Sequence, residues 1–348
     1  MKTARMKKEL RKIRRTAGRY KPHLKYWLTD KLGRIRWKYL DLCPVWRCNA
    51  RCPTCGSWKR DPKIEIGYFQ SLGIVHAPQF KFLEYVIVEG GEPMLWRHLG
   101  TFVKLIMLYH KNCIVAIITN GLAVDEVAHY AEAWKVFRKR LRWLVSLNGI
   151  DKVHDASRGA KGAYEKTVAS ARILKKVGHS VTFSFAPFVP NIGELWKVRK
   201  LGLQMDIPIN ICFPNFSGKF GDNLKWEFLS YSELRKLMEE RMTEGGIWDR
   251  MALRCLYDSV RDKKLIPCWG GRQMIHINPK GIIRPCSMDE TMQLGRVTER
   301  GVEDLDFSDL ERIPHECQYT PEGVCSDCYM LWTMRRNVPE LIKWRIGL

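Results

Sequence analysis

The chain has 348 residues, 45% of them hydrophobic, which is enough for one large domain or two ordinary ones and excludes a disordered or low-complexity polymer. No apolar run approaches the roughly 18 residues of a spanning helix, and the basic N-terminus lacks the apolar stretch that a secretory signal carries behind its charges. Two totals call for an explanation: a formal net charge of +22 and 12 cysteines.

The charge is concentrated. Residues 1–38 hold 15 Lys and Arg against Glu9 and Asp30, so 13 of the 22 units lie there and the other 310 residues are only mildly basic. Within this arm Met6, Leu10, Ile13, Ala17 and Tyr20 recur at steps of four and three, with Lys and Arg on the other faces. The spacing predicts a basic amphipathic helix over 1–36, suited to an anionic membrane surface, a nucleic acid or an acidic partner, with a solvated tail as the plain alternative.

From 37 to 215 short apolar runs alternate with helical patterns. The runs at 37–43, 83–88, 113–119, 142–147, 181–186 and 207–213 are β-branched or aromatic and strand-sized, although Pro208 weakens the last. Between them, Tyr164, Thr167, Val168, Ala171, Leu174 and Val177 form one helical face. Six strands alternating with helices predict a parallel α/β sheet with right-handed crossovers, either a barrel or an open sheet. Its polar, glycine-rich turns follow successive strands: 48–55, Glu89-Gly90-Gly91-Glu92-Pro93, Thr119-Asn120-Gly121 and Ser146-Leu147-Asn148-Gly149. The C-terminal strand ends of such folds carry the chemistry, so four such turns on one edge predict a single site.

Beyond 216 the pattern changes to a helical connection reaching 266. Ser230 and Glu233 form a capping box for a helix over 231–242, and a second helix is expected over 248–262. Residues 267–348 are rich in Cys, Gly and Pro, with short strands around 274–278 and 282–284, and their thin apolar content predicts a small domain held by a metal.

Twelve cysteines without a secretory signal favour metal or catalysis in a reducing compartment over disulfides. Cys48, Cys52 and Cys55 place three thiolates within eight residues of a post-strand loop. Zinc wants four ligands, whereas a four-iron cluster can take three and keep one iron open. This C-x3-C-x2-C loop, followed in order by Gly90-Gly91-Glu92-Pro93, Thr119-Asn120-Gly121, and Ser146-Leu147-Asn148-Gly149 with His154, Asp155, Arg158 and Gly159, resembles the radical S-adenosylmethionine (radical SAM) superfamily over residues 37–214.

The resemblance implies a partial (β/α)6 TIM-type barrel in an α/β fold. Cys48, Cys52 and Cys55 would ligate a [4Fe-4S] cluster whose open iron is chelated by S-adenosylmethionine. It further implies that Gly90 and Gly91 let backbone approach the methionine end of that cofactor, and that Glu92 and backbone carbonyls near it accept from its ammonium. Asn120 would face the nucleoside, Ser146 and Asn148 the carboxylate or ribose, and Arg158 would pair with the carboxylate. Two positions depart from the pattern. Thr54 replaces the usual aromatic residue before the third cysteine, leaving Trp46 or Trp58 to shield the site, and Asn148 stands where relatives often have Asp.

A second group, Cys268, Cys286, Cys325 and Cys328, resembles the auxiliary-cluster extensions called SPASM or twitch. This implies a small C-terminal Cys-rich auxiliary cluster domain over 267–348 holding one more [4Fe-4S] cluster, with a hairpin turning at Pro279-Lys280-Gly281. Structural zinc is the alternative, and Cys317 is surplus. Cys113, Cys212 and Cys255 are expected to be buried small residues.

The implied activity is reductive cleavage of S-adenosylmethionine to a 5′-deoxyadenosyl radical that takes hydrogen from a substrate C–H bond. Its implied partners are an electron donor such as ferredoxin or flavodoxin and a peptide or protein substrate. Three readings stand open: peptide or protein modification, the same chemistry on a lipid or lipid-linked substrate at a membrane surface, and a non-catalytic zinc protein whose arm binds nucleic acid. The expected location is cytoplasmic, with or without peripheral membrane contact.

Overall fold

The structure is a computed structural model that describes residues 37–212, 270–287 and 292–307. The expected N-terminal helix, the helices at 231–242 and 248–262, and Cys255, Cys268, Cys317, Cys325 and Cys328 lie outside the described residues.

All six expected strands form: β1 (Tyr39–Leu42), β2 (Tyr85–Val88), β3 (Ile114–Thr119), β4 (Leu141–Ser146), β5 (Ser180–Phe185) and β6 (Ile209–Ile211). They pair in parallel in chain order. The crossovers carry α1 (Tyr68–His76), α2 (Leu99–Tyr109), α3 (Val124–Ala133), α4 (Asp151–Arg158), α5 (Ala163–Val177) and α6 (Leu195–Gln204). This is the partial (β/α)6 barrel.

Each strand puts alternate residues on opposite faces. Leu40, Leu42, Val86, Val88, Val115, Ile117, Trp143, Val145, Val181, Phe183 and Phe185 share one core with the helices. The helix faces that meet them include Phe102, Val103 and Ile106 of α2 and Ala171 and Leu174 of α5. Fully burying each such side chain contributes about 1.5–3 kcal/mol. Tyr39 and Met274 form a second, smaller cluster with Tyr85, Ile87 and Cys286 on the other, inner face. Turns place the connections: Asp155 caps the entry to α5, accepting from Gly162 N at 2.7 Å and Tyr164 N at 2.8 Å.

The described part of the C-terminal segment joins the barrel sheet. Strand β7 (Met274–Ile277) is buried throughout and pairs in parallel with β1, on the side opposite β2. Strands β8 (Ile282–Arg284), β9 (Gly295–Thr298) and β10 (Gly301–Glu303) then extend the same sheet antiparallel, in the order β10-β9-β8-β7-β1-β2-β3-β4-β5-β6. Ile275, Ile277, Ile283, Leu294 and Val297 belong to the barrel's core. These described strands share an existing core, which offsets the thin apolar content of the segment. The hairpin itself is as expected: His276 opposes Arg284, Ile277 opposes Ile283, and the turn lies at 279–281.

Candidate functional site

The C-terminal ends of β1 to β6 surround a cavity of about 260 Å3. All ten described residues to which the sequence assigned a role at the first cluster line it: Cys48, Cys52, Cys55, Gly90, Gly91, Glu92, Asn120, Ser146, Asn148 and Arg158. The eleventh described candidate, Cys286, lies apart at the end of the β7–β8 hairpin, and its three expected partners lie outside the described residues.

The three thiols are held by the loop between β1 and α1. Donors point at each sulfur: Ala50 N to Cys48 Sγ at 3.4 Å, Ser57 N to Cys55 Sγ at 3.4 Å, and Arg158 Nη1 to Cys52 Sγ at 3.7 Å. Burial pushes the Cys48 thiol up to about 12, against the lowering effect of the Ala50 N–H, and raises Cys52 against the neighbouring Arg158 guanidinium. Thiols so desolvated become thiolates only when a cation joins them, so the donor set fits a metal centre. Trp58, not Trp46, supplies the indole at this cavity, donating from Nε1 to Cys52 O at 3.1 Å. Arg51 and Lys59 lie over the Trp58 ring.

The Gly-Gly-Glu turn also packs against the cysteine loop. A Cβ on Gly91 would collide with the carbonyl oxygens of Trp46 and Arg47, and one on Gly90 would come within 2.7 Å of Val45 O. The glycines therefore let the cysteine loop lie against the β2 turn, where Gly91 N donates to Val45 O and Glu92 N to Arg47 O. Glu92 is 1% exposed, and its carboxylate accepts from Thr119 Oγ1 at 2.7 Å, Asn120 N at 2.8 Å and Met94 N at 3.2 Å. Three internal donors occupy most of its lone pairs, so it joins the β2 and β3 turns. Burial raises its pKa against those hydrogen bonds.

Asn120 Nδ2 reaches Asn49 Oδ1 at 2.8 Å and Cys48 Sγ at 3.7 Å. Asn148 Oδ1 accepts from Ala186 N at 3.0 Å, and Asn191 Nδ2 donates to Asn148 O at 2.9 Å. Ser146 lies level with Ser184 on the inner face. Arg158, at the end of α4, has its Nε buried with no protein partner, while its carbonyl accepts from Arg51 N at 2.7 Å. A buried guanidinium N–H without a partner suits an anionic group in the cavity, such as a carboxylate.

The sequence missed several residues here. His154 is fully buried, and burial followed by the charge of Arg158 pushes its pKa down to about 2, so the ring is neutral. Its Nδ1 accepts from Asn148 N at 3.0 Å, which puts the ring proton on Nε2, 3.2 Å from Thr167 Oγ1. Thr167 in turn donates to Asn120 O at 2.7 Å. The one sequence cue was His154 lying between Asn148 and Arg158 on a short polar helix. Cys212, expected to be a plain buried residue, lies on the cavity wall with Ser184 Oγ 2.9 Å from its sulfur, whereas Cys113 is a core residue as expected.

Asp41, Glu89 and His276 also meet, with one ligand-type atom each and all three atoms within 4.8 Å of one another. Asp41 Oδ2 and His276 Nδ1 are 2.7 Å apart and both residues are buried. Asp41 and His276 are 235 positions apart, and only the β1–β7 pairing brings them together.

A parallel barrel whose strand ends converge on three half-buried thiols and a guanidinium with one unpartnered N–H defines a class, and known proteins agree with it. Residues 44–201 match the radical SAM superfamily, and residues 268–329 match the SPASM iron–sulfur cluster-binding domain. The chain belongs to the radical SAM superfamily and carries a SPASM domain. These matches imply a [4Fe-4S] cluster with S-adenosylmethionine in the barrel and further iron–sulfur ligation in the SPASM segment, which leaves structural zinc there without support.

Among curated relatives, the antilisterial bacteriocin subtilosin biosynthesis protein AlbA of Bacillus subtilis (strain 168) is 24% identical over 311 residues, covering 82% of this chain and 65% of AlbA. Among solved structures, Streptococcus suis SuiB bound to S-adenosylmethionine superposes with TM-score 0.57 at 15% identity, covering 74% of this chain and 63% of SuiB. The native anSMEcpe structure with bound AdoMet and Kp18Cys peptide gives TM-score 0.57 at 16% identity, covering 89% and 99%. This chain thus spans a little under two thirds of the length of AlbA and SuiB. Among the described residues no helix is long and apolar enough to cross a membrane.

Proposed function

We propose that the protein is a radical SAM enzyme that modifies a peptide or protein. The observation that carries this is the convergence of Cys48, Cys52, Cys55, Arg158, Asn120 and Asn148 on one cavity. The three thiolates would hold the cluster, and the sulfur-directed N–H donors would stabilise their charge. Arg158, with its buried Nε, would take the carboxylate of S-adenosylmethionine. Asn120 and Asn148 would orient the rest of that molecule, while Gly90, Gly91 and Glu92 would fix the cysteine loop and the β2 turn around it. When bound, the pair supplies an electron and a 5′-deoxyadenosyl group that together remove a hydrogen atom from an unactivated C–H bond.

The protein's own contribution is position and exclusion of water. The inner face leads from the cofactor cavity past Glu89 to Asp41 and His276, a polar wall against which a substrate side chain would rest. A peptide substrate is favoured by the likeness to AlbA, a bacteriocin biosynthesis protein, and to SuiB, also solved with its precursor peptide SuiA. The electron would come from a small redox protein such as ferredoxin or flavodoxin.

Anaerobically reconstituted protein given S-adenosylmethionine and dithionite is expected to release 5′-deoxyadenosine. Cys48→Ala, Cys52→Ala and Cys55→Ala should each abolish that release and lower bound iron by about four per chain. Release that persists in all three variants would sink the proposal.

A further inference from the structure

We infer that His154 is a positioning residue for the cofactor cavity, setting S-adenosylmethionine affinity through Asn148, Thr167 and Asn120 without lining the cavity itself. The inference rests on the reading above, that this cavity takes S-adenosylmethionine.

The two asparagines stand on different strand ends, Asn148 after β4 and Asn120 after β3. No hydrogen bond between them occurs among the described residues; they are joined through the imidazole. Asn148 N donates to His154 Nδ1 at 3.0 Å, His154 Nε2 meets Thr167 Oγ1 at 3.2 Å, and Thr167 Oγ1 donates to Asn120 O at 2.7 Å. Every donor in this series has one acceptor, so its direction is fixed: the ring must be neutral, with its proton on Nε2. Thr167 has no second hydroxyl proton and cannot reverse its role while it donates to the Asn120 carbonyl.

Both ends of the series are tied into the cavity. Asn148 Oδ1 is held by Ala186 N, and its carbonyl by Asn191 Nδ2, so the backbone at 148 is fixed on three sides. At the other end Asn120 N donates to Glu92 Oε2 and Asn120 Nδ2 reaches Asn49 and Cys48. The helix that carries His154 also carries Arg158, whose Nη1 reaches Cys52 Sγ and whose carbonyl holds Arg51 N in the cysteine loop. One eight-residue helix therefore contacts the β4 turn, the β3 turn through Thr167, and the cysteine loop.

A fully buried histidine whose two nitrogens both have partners could serve only to fill a core. Its partners argue for more. Both lead to backbone groups of the two asparagines that line the cavity, and loss of either bond would free a turn that faces the cofactor. Displacements of a fraction of an ångström at such turns suffice to change binding.

The test uses the full chain, anaerobically reconstituted, with S-adenosylmethionine as the probe. Thr167→Val removes the hydroxyl at nearly constant volume, Thr167→Ser restores it, and His154→Asn keeps an acceptor where Nδ1 stood while losing Nε2. Affinity is measured by equilibrium dialysis, alongside iron content, melting temperature and the change in the reduced-cluster EPR spectrum on adding the probe. Thr167→Val and His154→Asn are expected to bind about three- to tenfold more weakly with iron content unchanged, and Thr167→Ser within about twofold of wild type. The EPR change should be diminished in the two weak binders. Wild-type affinity in Thr167→Val and His154→Asn would overturn the inference, as would losses that track iron content. If the wild type itself fails to bind, the reading of the cavity fails with it, an outcome distinct from variants that match a binding wild type.

Discussion

Buried polar side chains decide most of what this site can do. Glu92 gives up water for three internal donors, and a glutamine there would set an NH2 group against N–H and O–H groups that need an acceptor. Glu92→Gln is therefore expected to destabilise the fold by about 2–3 kcal/mol, read as a lowered midpoint in urea unfolding. His154 makes a second prediction, about pH. The unfolded chain binds a proton near the ordinary histidine value of 6.5, and the native ring does not until about 2. Between these values the unfolded state holds more protons, so stability falls as pH falls through this window, by about 1.4 kcal/mol per unit for one proton. His179, lowered by burial, acts in the same sense, while Glu92, raised by burial, acts in the opposite one. Both cancel when His154→Asn is compared with wild type. The variant should lose less stability between pH 6 and pH 5, measured by urea unfolding; equal slopes would refute the assignment.

At the scale of elements, the loops and the short helix around the site are fastened to one another. The cysteine loop lies between the β2 turn, which meets it through Gly90 and Gly91, and the C-terminal end of α4, which meets it through Arg158. Gly91→Ala must push the carbonyls of Trp46 and Arg47 away, carrying Cys48 with them. Its barrel should remain folded by circular dichroism while bound iron falls by about four per chain, since cluster ligation requires all three thiolates in place. The sequence marked the right turns, because glycine, asparagine and cysteine runs after strands are visible in one dimension. The packing of these glycines on the cysteine loop was not legible, because the atom a missing Cβ would strike belongs to another loop, about 45 positions earlier in the chain.

Across the whole molecule the C-terminal hairpin extends the barrel sheet. Strand β1 is flanked on one side by β2 and on the other by β7, and Trp37 Nε1 donates to Gly271 O at 2.9 Å beside that seam. A chain ending at residue 266 would leave β1 as an unpaired edge and uncover Leu40 and Leu42. Such a truncation is expected to be insoluble or to melt at least about 10 °C lower, given that several kcal/mol of apolar burial are lost. A soluble fragment that melts like the full chain would show that the two parts are independent.

The order of strands and helices, the three-cysteine loop and the turns that gather at one strand edge were all legible in the sequence. They are local patterns: hydrophobic periodicity, ligand spacing and turn chemistry act within a dozen residues. Which polar groups pair with one another was decided only in three dimensions. The partners of Glu92 on the β3 turn, the His154 series and the Asp41–His276 pair all join residues from separate turns, helices or strands. A lone histidine or aspartate in sequence carries no mark of the partner it will meet. Burial makes these pairings compulsory, because a polar group removed from water must find a partner wherever the fold has put one.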